Sequence, residues 1–306
     1  MEFPYLRINS TVVGFNDEEM KEVHKLYARG LQNGLDPQEM EVIDAKELQN
    51  REPNISPEAK GALVCNSSIA VDPVELTKTL FANAIKNGVQ LFVNSKVQAI
   101  SKVADRFLVE TSKQEVFSAK VIINAAGHYA DVLAKMAGYP DYELTTCRGE
   151  YRILEKSETQ NVNSVIFMVP TIHGKGVIVA PMLDGHLMVG PTAEEGISKE
   201  DTRLITKTSF DEIGKIGQKI IPTLNIDRTC MVYSGSRPIY AQTDDFYIQA
   251  AHADEYFINV AGMKSPAIAS APAIADYVIT KIKPLFEEFV VKNNWDPHQK
   301  SLLPLN

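Results

Sequence analysis

The sequence predicts an α/β chain with an antiparallel, β-rich section set inside it. Three observations carry this reading. Lys120 to Asn124 (KVIIN) is a continuous apolar run of the kind buried parallel strands show, and it leads into Ala125-Ala126-Gly127 and a helical pattern. Between Leu144 and Pro238, apolar and polar residues alternate through several short stretches, the period of antiparallel strands. Gly235 to Val278 then holds two apolar runs, a turn at Gly262 and a helical pattern opened by Ser265 and Pro266. A serine cap with proline at the first helical position is a helix-start signal.

In chain order, Asn9 to Phe15 reads as a strand, and Asn16 caps a helix over Asp17 to Asn33 whose first turn is acidic. Met40 to Ile43 is a short strand and Ala45 to Glu52 a short helix. Asp72-Pro73 starts a helix over Val74 to Lys86, Gly88 stops it, and Val89 to Asn94 reads as a strand. Val97 to Val103, Arg106 to Thr111 and Glu115 to Ser118 form a small antiparallel meander. A helix over Tyr129 to Ala137 follows the KVIIN run, and Gly138 ends it. In the β-rich section the strands are Cys147 to Glu155, Ser164 to Val169, Gly176 to Pro181 and Leu187 to Gly190, with a hairpin turn at Asp184-Gly185. Thr208 to Ile221 is a helix and Thr229 to Ser234 a strand. The runs Phe246 to Ala250 and Tyr256 to Ala261 then lead to the closing helix.

Composition narrows the function. A chain of 306 residues can form one large domain or two interleaved ones. A formal net charge of -8 argues against broad nucleic-acid binding, yet a locally positive pocket for a small anionic substrate remains compatible with it. Cys65, Cys147 and Cys230 are too few and too far apart for a zinc or iron–sulfur site, so no metal is expected, and they suit a reduced, cytoplasmic compartment. No apolar run reaches the ~18 residues of a membrane span, and no signal-peptide pattern opens the chain. Peripheral membrane association and oligomeric state are left open.

Five segments then act together: INAAGHYAD (123–131), RGEYRILE (148–155), GKGVIVAPMLDGHLMVGPTAEE (174–195), GSRP (235–238) and FINVAGMKSPAIASAPAIADYV (257–278). In this order they resemble the FAD-dependent glycerol-3-phosphate oxidase/dehydrogenase family of the D-amino-acid-oxidase-like superfamily. The resemblance implies α/β with an α+β insertion: an incomplete Rossmann-like FAD domain plus a substrate domain of mixed antiparallel sheet flanked by helices. It assigns 1–68 and 139–245 to the substrate domain, 69–138 and 246–285 to the FAD domain, and 286–306 to a tail. The implied reaction is oxidation of sn-glycerol 3-phosphate to dihydroxyacetone phosphate by hydride transfer to flavin N5, with the electrons passed to oxygen or a quinone. Alternatives are a related FAD oxidoreductase acting on a 2-hydroxy acid or amino acid, and a shortened, inactive chain without FAD.

The resemblance also assigns residues. Lys175, Arg237 and Ser265 would bind substrate, two cations suiting a phosphate better than a carboxylate needs. On the residues alone, Arg237 reads first as a structural ion pair and Lys175 as a solvated loop lysine, and Ser265 as a helix cap. Val97, Ala126, Gly127, Gly262, Met263, Lys264 and Ser265 would contact FAD. Tyr151 is either a pocket or a core residue. Family members begin with a βαβ unit carrying G-x-G-x-x-G and an active-site histidine nearby. No G-x-G-x-x-G occurs in this sequence, so the chain is expected to start after that unit. No catalytic base is therefore assigned, His128 and His173 included.

Overall fold

The computed structural model describes residues 2–170, 176–290 and 292–299. β1 (Tyr5–Arg7) and β2 (Ser10–Gly14) precede α1 (Asp17–Gln32). The start of α1 is specified locally. Asn16 Oδ1 accepts the Glu19 N–H at 2.9 Å, and the Glu19 carboxylate accepts the Phe15 N–H at 2.7 Å. β3 (Met40–Asp44), α2 (Ala45–Arg51), β4 (Gly61–Cys65) and β5 (Ile69–Val71) lead to α3 (Pro73–Lys86). Here Asp72 accepts the Val74 and Glu75 N–H groups, and Pro73 fills the first helical position. β6 (Val97–Val103), β7 (Arg106–Thr111) and β8 (Val116–Ala119) form the expected meander. β9 (Ile122–Asn124) and α4 (Ala130–Met136) follow, joined through a 3-10 turn at Gly127–Tyr129.

The remainder runs β10 (Leu144–Leu154), β11 (Val165–Met168), β12 (Ile178–Pro181), β13 (Leu187–Gly190), β14 (Glu194–Glu195), α5 (Lys207–Ile220), β15 (Thr229–Tyr240), β16 (Tyr247–Ala251), β17 (Asp254–Ala261) and α6 (Ala267–Ile282). Nine strands share one sheet in the order β14-β10-β13-β12-β11-β2-β4-β3, with β15 also on β10. All its pairings are antiparallel except β2 with β11, so this is the mixed antiparallel sheet the resemblance implies. Its apolar face, including Val13, Ile166, Val179 and Leu187, packs on Ile213 and Ile220 of α5. A second core gathers Phe107, Ala130, Ala134, Tyr247 and Phe257 between the meander, α4 and a three-stranded sheet ordered β16-β17-β9. In that sheet β9 and β17 run parallel, each with a helix after it.

Four local expectations give way. Val89 to Asn94 is not a strand, because among the described residues no neighbour pairs with it; composition alone cannot supply a ladder. The strand expected to end at Ser234 continues to Tyr240, because β10 pairs along its whole length (Cys147 opposite Arg237, Leu144 opposite Tyr240). The closing helix starts at Ala267 with Pro266 at the cap position and no side-chain cap bond, so Ser265 is outside the helix and does not cap it. The KVIIN run also narrows to Ile122–Asn124.

Candidate active site

Two chain segments meet because of one antiparallel bridge. Ile239, near the end of β15, pairs with Met263, just past β17. Two residues back along one segment stands Arg237, and two residues on along the other stands Ser265; both line a cavity of about 760 Å3. Gly262 allows the approach. Its φ of +72° suits glycine, and an added Cβ would lie 3.0 Å from Tyr240 Cβ.

Arg237 is held from one side only. Its Nη2 donates to the Thr192 carbonyl at 3.3 Å and to Cys147 Sγ at 3.5 Å. Burial pushes the Cys147 thiol up against the pull of the Arg237 charge, and burial likewise pushes the Tyr151 hydroxyl up. Both neighbours therefore stay neutral near pH 7. No carboxylate among the described residues lies within ion-pairing distance of Arg237, which removes the structural ion pair as an explanation for it. Its charge is free for an anion.

The wall behind is charged but matched. Glu150, 1% exposed, accepts the Thr206 N–H at 2.8 Å and the Thr206 hydroxyl at 3.1 Å. Arg148 lies 3.4 Å from Glu150 and 2.5 Å from Glu194, a cavity residue. Buried charges of this kind persist when paired, and here the pairing leaves the cavity's negative edge neutralised. Tyr151 also lines the cavity and stacks on Tyr233 with centroids 4.6 Å apart, so it is a pocket residue. Lys175 and His173 lie outside the described residues; the adjoining Gly176 lines the cavity.

A second corner offers open backbone. Gly127 has φ +57°, and an added Cβ there would meet nothing within 4 Å. Beside it, both ring nitrogens of His128 are enclosed without a hydrogen-bond partner. Lys264 adopts φ +48° and its ammonium is tied to Asp244 at 2.7 Å. With no side chain capping α6 and no acidic residue in its first turn, the N–H groups at the helix start from Ala267, just past Met263 to Ser265, can meet an electron-rich ligand. Ala125 and Met263 line one apolar groove, which brings the turn after β9 beside the turn after β17. Val97 begins β6 and packs with Ala126 on the second core, in no cavity with Arg237. Of the two residues that seat Arg237, Thr192 lies within the 174–195 segment without being singled out there, and Cys147 lies just outside the 148–155 segment.

Residues 1–280 match the family described as DAO, FAD dependent oxidoreductase. The chain is 42% identical to the glycerol 3-phosphate oxidase of Mycoplasma pneumoniae over 96% of its own length and 77% of that protein. It is 38% identical to the glycerol 3-phosphate oxidase of Mycoplasma genitalium over 97% of its length and 77% of that protein. Among solved structures, the dithionite-reduced L-alpha-glycerophosphate oxidase of Mycoplasma pneumoniae with FAD bound superposes with a TM-score of 0.91 at 41% identity, covering 96% of this chain and 76% of that one. On this match the chain belongs to the DAO family of FAD-dependent oxidoreductases.

Proposed function

We propose that this protein binds FAD and oxidises sn-glycerol 3-phosphate to dihydroxyacetone phosphate, its electrons passing to oxygen or a quinone. The observation that carries the reading is Arg237: a guanidinium without a carboxylate partner among the described residues, lining the same cavity as Ser265. A phosphate ester at neutral pH carries about -1.5 to -2 charges, and a guanidinium fork meets two of its oxygens at once. Lys175, by the family resemblance, adds a second cation. The relatives' names point to the same substrate.

Bound FAD would supply the acceptor for the hydride leaving the carbinol carbon. The chain's own residues fit such a group. Ala126 and Gly127 leave backbone open beside the His128 ring, which has no hydrogen-bond partner among the described residues, and the turn Gly262 to Ser265 leads into the uncapped start of α6 at Ala267, whose partial positive charge favours an anionic ring edge. Met263, Lys264 and Ser265 would hold the ring, and Val97 the adenosine end. Ser265 would also donate to substrate, while Arg237 fixes the phosphate so that the carbinol hydrogen has one path. The hydroxyl proton needs a base, and among the described residues no histidine lines the cavity. The first core falls wholly within 1–68 and 139–245, which supports a substrate domain there and a cofactor domain at 69–138 and 246–285, with Tyr142 and Leu144 from the substrate range packing into the second core.

Purified protein is expected to carry flavin absorbance that glycerol 3-phosphate bleaches under nitrogen. Arg237→Ala is expected to raise KM by about 10- to 100-fold, the loss of a charge-assisted pair, while Arg237→Lys recovers part of it. A KM unchanged in Arg237→Ala would sink the substrate assignment, and a protein that takes up no flavin would sink the cofactor assignment.

A further inference from the structure

The ladder beside Arg237 carries one residue too many. β10 pairs with β15 along one edge, and with β13 and then β14 along the other. Arg152 stands opposite Val189 and Arg148 opposite Glu194, so three residues of β10 face four of the partner segment. Thr192 is back in step: its N–H donates to the Glu150 carbonyl at 3.2 Å, and its hydroxyl accepts the Glu150 N–H at 3.0 Å. The extra residue therefore falls at Gly190-Pro191, a bulge of the kind that re-aims the groups beside it. Gly190 has φ +139°, and an added Cβ there would lie 2.8 Å from the Glu150 carbonyl oxygen.

Across β10 and β15, alternate residues share a face, and so do residues opposite each other. On the face that carries Arg237, Tyr151 stacks on Tyr233 and Cys147 meets Arg237, and between these pairs Gly149 stands opposite Gly235. Two side chains are thus missing from the middle of the face. The Arg237 guanidinium reaches across this hollow, from β15 over β10, to the Thr192 carbonyl beyond the bulge. The two glycines are not equivalent. An added Cβ on Gly149 would lie 2.8 Å from Pro191 Cβ, 3.2 Å from the Thr192 carbonyl oxygen and 3.5 Å from Arg237 Nη2, whereas one on Gly235 would meet nothing within 4 Å.

We infer that Gly149 and the Gly190-Pro191 bulge are positioning elements for Arg237. The bulge brings the Thr192 carbonyl to the arginine, and the absent side chain at Gly149 leaves the guanidinium room to reach it. An arginine held in advance has less rotamer freedom left to lose when an anion binds. Nη2 makes both of the bonds that Arg237 has among the described residues, which leaves Nε and Nη1 for the oxygens of a ligand. The ligand class is an oxyanion, and this mounting rests on the reading of Arg237 as the phosphate contact.

Inorganic phosphate and sn-glycerol 3-phosphate are titrated by calorimetry into the wild type, Gly149→Ala, Gly235→Ala, Arg237→Lys and the protein carrying both Gly149→Ala and Arg237→Lys. Gly149→Ala is expected to weaken binding about tenfold, the order of one misplaced charge-assisted hydrogen bond, and Gly235→Ala less than about twofold. A lysine at 237 has no Nη2 for a Cβ at 149 to displace. On the Arg237→Lys background Gly149→Ala should therefore weaken binding by less than about twofold, since residues acting through one contact are not additive. A merely structural role for Gly149 would weaken both backgrounds alike. Deletion of Pro191 removes the extra residue and should reproduce the loss, and it serves where Gly149→Ala does not fold. A wild type that binds neither anion sinks the reading of Arg237, and the mounting with it. A wild type that binds, with Gly149→Ala matching it or with equal losses on both backgrounds, overturns the mounting alone. Loss of fold in both Gly149→Ala and the Pro191 deletion overturns it too, since both would then be determinants of the sheet.

Discussion

The nine-stranded sheet and the three-stranded corner are built from similar residues but finished to different degrees. Around β11, Ile166 is fully buried between Thr11 and Val179, with Leu187 and Ile213 also enclosed. In the corner, β17 is as well buried through Phe257 and Ile258, but one strand further on, Ile123 of β9 stands half in solvent. The difference is not hydrophobicity, since Ile166 of β11 and Ile123 of β9 are the same residue type in apolar stretches. It is the presence of neighbours. A strand's apolar side chains stabilise only what the rest of the chain brings against them.

Two matched substitutions put the contrast to its hardest test. Ile166→Ala is expected to cost about 3 kcal/mol, the loss of a buried side chain plus the cavity it leaves. Ile123→Ala is expected to cost less than about 0.5 kcal/mol, as surface changes do. Denaturant midpoints of the two variants read this directly. Equal losses would mean that the β9 edge is already covered in solution, and the comparison would fall.

The same contrast explains what was legible in the sequence. Caps and helix stops act within a few residues, so α1 and α3 stand where Asn16 and Asp72-Pro73 put them. Val89 to Asn94 has strand composition, but a ladder needs a second strand that composition cannot guarantee. Gly61 to Cys65 is a short apolar run of the sort that periodicity leaves ambiguous, and it becomes β4 because β2 and β3 flank it. Arg237 and Ser265 were visible as members of motifs, but their meeting depends on the Ile239 to Met263 bridge. Cys147 and Thr192 were not visible as its seat, because their roles arise from cross-strand placement, Cys147 standing 90 positions before the arginine it touches. The resemblance supplied Lys175, which lies outside the described residues.

Glycines on the two sides of the cofactor corner sharpen the comparison further. Gly262 needs a positive φ and also sits against Tyr240, so Gly262→Ala is expected to cost about 2 kcal/mol, strain plus contact. Gly127 needs a positive φ but faces open space, so Gly127→Ala is expected to cost about 1 kcal/mol, strain alone. Thermal melts should therefore rank Gly262→Ala below Gly127→Ala. The reverse order would show that the turn after β9 is the more crowded one, against the open edge described for it.

The smallest effect lies where the corner is closed. Asp254, at the start of β17, accepts the Tyr139 hydroxyl at 2.6 Å and the Tyr256 N–H at 3.0 Å, and pairs with Lys102 of β6. Burial pushes its carboxyl up, but Lys102 and these hydrogen bonds outweigh that and hold it below the usual aspartate value. A carboxyl depressed in the folded protein adds stability that is complete above the unfolded pKa of about 3.9 and is lost as pH falls through the lower folded value. Stability should therefore decline on acidification below about pH 5, and Asp254→Asn should flatten that decline while lowering stability at pH 7. Urea unfolding of both proteins from pH 7 to pH 3 measures the two slopes. Parallel slopes would remove Asp254 as the tie between the meander and β17, and with it the claim that this side of the corner is finished by its own residues.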